Sequence, residues 1–227
     1  PNVSWWWMTM VWSFGGNLYD DALNPTVNSK EAIAATDFLK KLMTVSPKGA
    51  STANSDEVTS KFLGENIGAM INYSGYYGSV LDKSINKNEG KIGTAPMPKG
   101  SADITHLAGW NIGIPKDAKN PTAAWKFLEY VLGKTNAKTY LESGAAAIGR
   151  KSITTDADLL AKFPYLAQLE IPASSRIERY PQIAVWPEFE VAAIDAVTQV
   201  LNGKSDSTKA MTALNEKLKP ILAKEPK

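Results

Sequence analysis

Four of the seven tryptophans in this 227-residue chain lie within eight positions: Trp5, Trp6, Trp7 and Trp12. An indole has a large apolar face and a single N–H donor, so a run of four must either build a core or face a ligand. Helical spacing puts Trp5 or Trp6, Met8 and Trp12 on one inward side. The other reading turns some of the rings into a cleft, where they stack on a bound molecule. Gly15-Gly16 ends the run, and both readings stand on residue type alone.

Composition removes several classes of function. The net charge is +2, with both signs interspersed and no basic block. Phosphate binding needs a concentrated positive stripe, so nucleic acid is not an expected partner. Lys217 and Lys219 are interrupted by neighbouring Glu216 and read as a solvated face. There is no cysteine, which excludes disulfides, thiolate metal sites and a cysteine nucleophile. The single histidine, His106, cannot build a multi-histidine metal site and reads as a surface residue in a polar loop. No metal or cofactor is implied. No apolar run approaches the ~20 residues of a membrane helix. The chain begins at Pro1, beside an aromatic run, and is expected to be a piece of something longer.

Along the chain, helices alternate with short apolar runs. Asn28, Ser29 and Glu31 make a capping-box-like start for a helix carrying Ala35, Phe38, Leu39 and Leu42 on one face. Ser55, with Asp56 and Glu57, opens a second helix that stops at Gly64. Ile67–Asn72 is a continuous apolar run, expected to be a strand buried on both faces. Tyr73, Ser74, Tyr76 and Tyr77 follow its end, and Val80, Leu81 and Ile85 suggest a helix. Strands are expected at 91–95 and 110–115, with a polar loop over 99–106 between them. Asn120-Pro121 starts a helix with the stripe Ala124, Phe127, Leu128 and Val131, and a shorter one carries Ala137, Tyr140 and Leu141. Thr155 with Asp158 starts another. Residues 170–187 read as irregular, with Pro172, Pro181, Pro187 and the pair Ser174-Ser175. A long helix follows through Phe189, Ala193, Val197 and Val200, and Ser207 is expected to cap the last, with Met211, Leu214 and Leu218 inward. Alternating helices and strands predict α/β layering.

Enzymatic motifs are sparse. There is no Gly-x-Ser-x-Gly elbow and no phosphate loop; Gly75 to Gly78 lacks the lysine. Glu188 and Glu190 are two apart, so on a helix they diverge rather than pair, and they read as acidic residues of a first turn after Pro187. Asp195 is the other acidic candidate on that helix. The aromatics fall at element boundaries: Tyr73, Tyr76 and Tyr77 at a strand's end, Trp110 at a strand's start, Trp186 before a long helix. Ligand groups in α/β proteins gather at such places. A pyranose suits them, with C–H faces for rings and hydroxyls for amides and carboxylates. Asn72, Ser74, Asn111 and Glu188 are near those rings in sequence.

The order of motifs resembles the extracellular solute-binding proteins of ABC importers, in particular the sugar-binding family that includes maltose-binding protein. The passages are Gly15-Gly16 leading to Asn28-Ser29-Lys30-Glu31-Ala32; Phe62-Leu63-Gly64-Glu65-Asn66-Ile67-Gly68-Ala69-Met70 followed by Ser74-Gly75-Tyr76; Gly93-Thr94-Ala95-Pro96-Met97-Pro98; and Leu107-Ala108-Gly109-Trp110-Asn111-Ile112-Gly113-Ile114-Pro115 with Lys119-Asn120-Pro121. They span most of the chain in order. The resemblance implies a periplasmic-binding-protein-like, two-lobed α/β fold closing on a mono- or oligosaccharide without chemistry. ABC permease subunits would be its partners, and its location would be periplasmic or extracellular, with a lipid anchor through a missing N-terminal segment. It implies a C-terminal fragment that is mostly the second lobe. Residues 1–97 and 145–227 would form that lobe, and 98–144 would belong to the first. Such a fragment would lack half its cleft and could associate through the missing lobe.

Carried over by similarity, the ligand contacts would be Trp5 or Trp6, Tyr76, the loop Gly109, Trp110 and Asn111, Arg150, and Trp186. Around Arg150 the chain reads Ile148-Gly149-Arg150-Lys151-Ser152, without the family's proline, and Tyr73 stands where many relatives have a smaller or polar residue. With the resemblance, one or two of Trp5, Trp6 and Trp7 are expected at the cleft, and Met10, Val11 and Phe14 in the core. Rings facing a missing lobe would be exposed and prone to association. The alternative from another class is a glycoside hydrolase using Glu188 or Asp195 as acid or base.

Overall fold

In the computed structural model the tryptophan run is a helix, α1 (Val3–Ser13), buried on almost every side. The structure describes residues 3–65, 67–144, 149–169 and 175–226; the sequence readings at Asn66, Ile148, Pro172 and Ser174 fall outside them. A helix apolar all round belongs inside a protein, and α1 is the centre of a core. Trp7, Met8 and Val11 are fully buried. Gly15 and Gly16 close it in a Schellman arrangement: Gly15 N–H donates to Trp12 O and Gly16 N–H to Val11 O, both at 2.9 Å. Gly15 has φ +87°, a conformation that costs glycine least.

The chain forms two compact units: unit 1 comprises Pro1–Ser55, Met97–Ala108 and Ser174–Lys227, and unit 2 comprises Asp56–Pro96 and Gly109–Ala173.

In unit 1, α1 packs against α2 (Lys30–Met43) and α9 (Trp186–Leu201), and α9 packs against α10 (Ser207–Leu222). Ser29 caps α2 by accepting from Ala32 N–H. Asp206, not Ser207, caps α10 by accepting from Lys209 N–H, and the Ser207 hydroxyl instead donates to Asp37 on α2 at 2.6 Å. Two three-residue strands, β1 (Ile104–His106) and β2 (Arg176–Glu178), pair in parallel with His106 opposite Glu178. Leu107 N–H donates to Glu178 O at 2.8 Å and Arg176 N–H to Asp103 O at 2.9 Å, extending the pairing past both ends. The segment before β1 docks on the end of α1, where Gly100 N–H donates to Ser13 Oγ at 3.0 Å. A Cβ at Gly100 would lie 2.4 Å from Ser13 O, so only glycine fits there.

Unit 2 holds α3 (Ser55–Gly64, which starts at the seam), a 3-10 turn (Ser74–Tyr76) running into α4 (Tyr77–Leu81), α5 (Pro121–Val131), α6 (Lys134–Glu142), α7 (Lys151–Thr154) and α8 (Ala157–Lys162). Its core is small: Ala137, Leu141, Ile153, Leu159, Phe163, Tyr165 and Leu166, with Tyr77 stacked on Tyr165 at 4.0 Å. Asn120 caps α5 as expected, and Asp156 rather than Thr155 caps α8.

Three sequence expectations are corrected here. The runs 67–72, 91–95 and 110–115 are not strands, because none has a ladder partner among the described residues. A run of strand-forming residues becomes a strand only when a neighbour takes its N–H and C=O groups. Conversely, 104–106 and 176–178 do pair, within stretches read as a polar loop and an irregular segment. The stripe of α5 is not buried: no residue of that helix is, and Phe127 stands 61 % exposed.

Candidate functional site

Unit 1 gathers an aromatic array from four separate stretches of chain. On α1, Trp5, Thr9 and Trp12 lie four and three residues apart and so share one face. Pairing of β1 with β2 brings His106 against that face. Trp5 Nε1–H donates to His106 Nε2 at 3.1 Å, and His106 Nδ1 lies 2.8 Å from Thr9 Oγ1. The imidazole centroid is 5.2 Å from Trp5, 5.1 Å from Trp12 in an edge-on contact and 5.6 Å from Tyr180. Tyr180 meets Trp186 edge-on at 5.9 Å, and Trp186 stacks on Phe189 at 5.2 Å. Trp5, His106, Tyr180 and Trp186 are only partly buried, whereas Trp12 and Phe189 are core.

Polar groups border these rings. Ser4 Oγ–H donates to Glu190 Oε1 at 2.8 Å. Burial, followed by the Glu190 charge, pushes the Tyr180 hydroxyl up to about 12. Burial pushes His106 down to about 4 from its usual 6.5. The start of α9, which presents Trp186, is held by Glu225 from beyond the end of α10: its carboxylate accepts from Ala184 N–H at 2.9 Å and Val185 N–H at 3.0 Å.

Trp5 and Trp6 part company. Their centroids are 5.1 Å apart, but Trp6 lines a shallow apolar depression with Leu39, Met43, Ala53 and Leu201, away from the histidine. Trp7 is core, its Nε1–H donating to Thr36 Oγ1 at 2.9 Å. Met10 and Val11 are buried as expected, and Phe14 is partly so.

The remaining sequence candidates, Tyr76, Gly109, Trp110, Asn111 and Arg150, lie in unit 2. The Tyr76 hydroxyl donates to Asp56 at 2.6 Å and its ring meets Tyr73 edge-on at 4.8 Å; burial and then the Asp56 bond raise its pKa. Gly109, Trp110 and Asn111 form an exposed stretch in which Trp110 is 96 % exposed. Arg150 is exposed and directly precedes α7.

His106 is corrected: it is not a surface residue but the hub of the array. Glu188 is exposed and ion-paired to Lys224 at 2.6 Å, while Glu190, two residues on, accepts from the Ser4 hydroxyl. Sequence reasoning missed His106, Tyr180 and Glu190 because His106 meets Trp5 across 101 residues and Glu190 meets Ser4 across 186, while Tyr180 joins the array through His106. Only the i, i+4, i+7 spacing of Trp5, Thr9 and Trp12 could have hinted that one face of α1 awaited a partner. Asp195 is exposed on the same helix as Glu188. Among the described residues no group of three or more His, Cys, Asp or Glu is placed to hold a metal ion.

An array of ring faces and edges bordered by one carboxylate and one hydroxyl is suited to holding a polar molecule with apolar faces. Comparison with known proteins bears on what kind. Residues 1–138 match the family model for bacterial extracellular solute-binding proteins, which is more than half of the chain. The chain belongs to that family. A solute-binding protein from Agrobacterium radiobacter K84, solved in complex with ribitol, superposes with a TM-score of 0.83 at 27 % identity, over 97 % of this chain and 57 % of that one. Maltose-bound MalE3 of T. maritima gives 0.82 at 23 % identity, over 95 % and 56 %. A probable amino-acid ABC transporter periplasmic-binding protein of Sinorhizobium fredii is 23 % identical over 95 % of this chain and 49 % of its own length. The chain thus spans about half the length of the curated relatives it matches. The fold is the periplasmic-binding-protein-like α/β fold, here helix-rich with few strands. The family implies a periplasmic or extracellular setting. No helix among the described residues is long and apolar enough to cross a membrane.

Proposed function

We propose that this solute-binding chain is part of the substrate-binding component of an ABC importer and that it holds a sugar or polyol by stacking and hydrogen bonding, without chemistry. The observation that carries this is the array of Trp5, His106, Tyr180 and Trp186, with Glu190 and Ser4 beside it. Aromatic faces take the C–H surface of a pyranose or an extended polyol, and the carboxylate accepts from hydroxyls. A small anion would instead demand arginines and backbone amides. The ribitol and maltose held by two of the relatives support the same class; the amino-acid name carried by a third makes an amino acid the natural competitor.

Several finer points belong to the same proposal. Tyr76, Gly109, Trp110, Asn111 and Arg150 would supply further ligand contacts, and residues 98–144 would belong to the first lobe with 1–97 and 145–227 in the second. The site would be a cleft between lobes that close on the sugar. Permease subunits would receive the ligand, and a lipid anchor preceding these residues would hold the protein to the membrane. A glycoside hydrolase reading has less behind it, because Glu188 is engaged by Lys224.

Titrating ribitol, maltose and an amino-acid mixture while following tryptophan emission tests the reading. Ribitol or maltose is expected to shift the emission, and Trp186→Ala to weaken binding by about 1–3 kcal/mol. Unchanged affinity in both Trp186→Ala and Tyr76→Ala would remove the site. Sustained release of reducing ends from maltose-series oligosaccharides, abolished by Glu188→Gln, would overturn binding without chemistry.

A further inference from the structure

We infer that His106 is a positioning residue of the aromatic array: as the neutral Nδ1–H tautomer it fixes the Trp5 indole through a closed ring of three hydrogen bonds. The inference deepens the sugar-binding reading and rests on it for the role of Trp5. An indole nitrogen can only donate. Trp5 Nε1–H therefore points at a bare His106 Nε2, 3.1 Å away. A neutral imidazole with a bare Nε2 carries its proton on Nδ1, which then donates to Thr9 Oγ1 at 2.8 Å. The Thr9 hydroxyl proton is left for the Trp5 carbonyl, at 2.8 Å, one helical turn back. Three donors meet three acceptors and none is left over. Trp5 is thus held at its backbone and at its ring edge by the same pair of side chains, while its indole is left only partly covered.

Protonation would break the ring. A second proton on Nε2 would face the Trp5 N–H, donor against donor. Around the imidazole, α1 offers no charged side chain. β2 places Glu178 opposite it in register, already paired with Arg176. Tyr180 lies against its ring, and Glu190 on α9 acts on that tyrosine. Burial depresses the histidine to about 4, so the neutral state holds at neutral pH.

Because the chain has a single histidine, imidazole nitrogen NMR reports on this residue alone. In the wild-type chain, long-range 1H–15N spectra at pH 7 are expected to show the Nδ1–H tautomer, titrating well below 6.5. Thr9→Val is expected to release the ring toward the Nε2–H tautomer. An Nε2–H signature, or a titration near 6.5, in the wild type would overturn the inference. A second arm follows Trp5: His106→Phe, which keeps a ring but no acceptor, is expected to shift emission more in the wild-type background than in Trp5→Phe, where Trp12 still meets the replaced ring. The same shift in both backgrounds would show that His106 does not act through Trp5. A third arm uses maltose: His106→Phe is expected to weaken binding tenfold or more, with His106→Gln, which can both accept and donate, recovering part of it. Equal affinity in all three proteins would overturn the positioning role. If the wild type binds neither maltose nor ribitol, the sugar reading fails, and the tautomer and emission arms still decide what His106 does.

Discussion

A fully buried indole has one polar atom to satisfy, and Trp7 satisfies it on the Thr36 hydroxyl, which passes its own proton to Ala32 O at 2.8 Å. Removing that acceptor while keeping the shape strands a buried N–H. Thr36→Val is therefore expected to cost about 1–3 kcal/mol, and Thr36→Ser much less, in urea unfolding followed by far-UV circular dichroism. Equal midpoints for the two variants would show that the bond contributes nothing. His106 links stability to pH in a defined direction. Its folded value, about 4, lies below its unfolded value of 6.5, so between them the unfolded chain binds more protons. The stabilisation is complete above 6.5 and is lost as pH falls toward 4. A wild-type midpoint that drops across this window, by more than that of His106→Phe, is the expected result; parallel pH profiles would count against it. Carboxylates titrating in the same window are common to both proteins and cancel in the comparison.

At the level of elements, the helices divide by what covers them. α1 is buried on nearly all sides and α9 and α10 along one face each, whereas α5 buries nothing, with Trp125, Phe127 and Tyr130 respectively 57 %, 61 % and 68 % exposed. Association was expected from the tryptophan run; the structure moves that liability to α5, because neighbours in unit 1 cover α1. Sedimentation velocity should show concentration-dependent association of the wild-type chain that is reduced in Trp125→Lys/Phe127→Lys. A wild-type chain that stays monomeric at every concentration would sink this. The caps show how local signals work. Asn120 was legible because one side chain and the amide three residues on suffice to define it, and it accepts from Ala123 N–H at 3.1 Å. Asp206 was missed in favour of Ser207 only because both residues can cap, and Ser207 is taken by Asp37.

For the whole molecule, the two units differ in how much core each owns. Unit 1 is built on α1, α2, α9 and α10, with α2 and α9 each packed on the other three, and Trp7, Met8, Phe189 and Met211 fully buried. Unit 2 rests on a smaller cluster around Leu141, Ile153 and Leu166. Amides with few buried contacts around them exchange through low-energy openings. Hydrogen exchange is expected to be slowest in α1, α9 and α10 and fastest in α5 and residues 109–118; protection of α5 equal to that of α9 would contradict this. The positions of the longer helices, and the Asn120 cap of α5, were legible in the sequence alone, because a helix closes most of its hydrogen bonds within its own segment. The family, too, was legible in the order of short motifs. The strands and the aromatic array were decided by tertiary structure. His106 pairs in register with Glu178 and meets Trp5 through contacts that no local pattern encodes. The runs at 67–72 and 110–115 have strand composition without a ladder. Whether an extended run is a strand, and whether a ring is core or site, depends on a neighbour supplied from far along the chain.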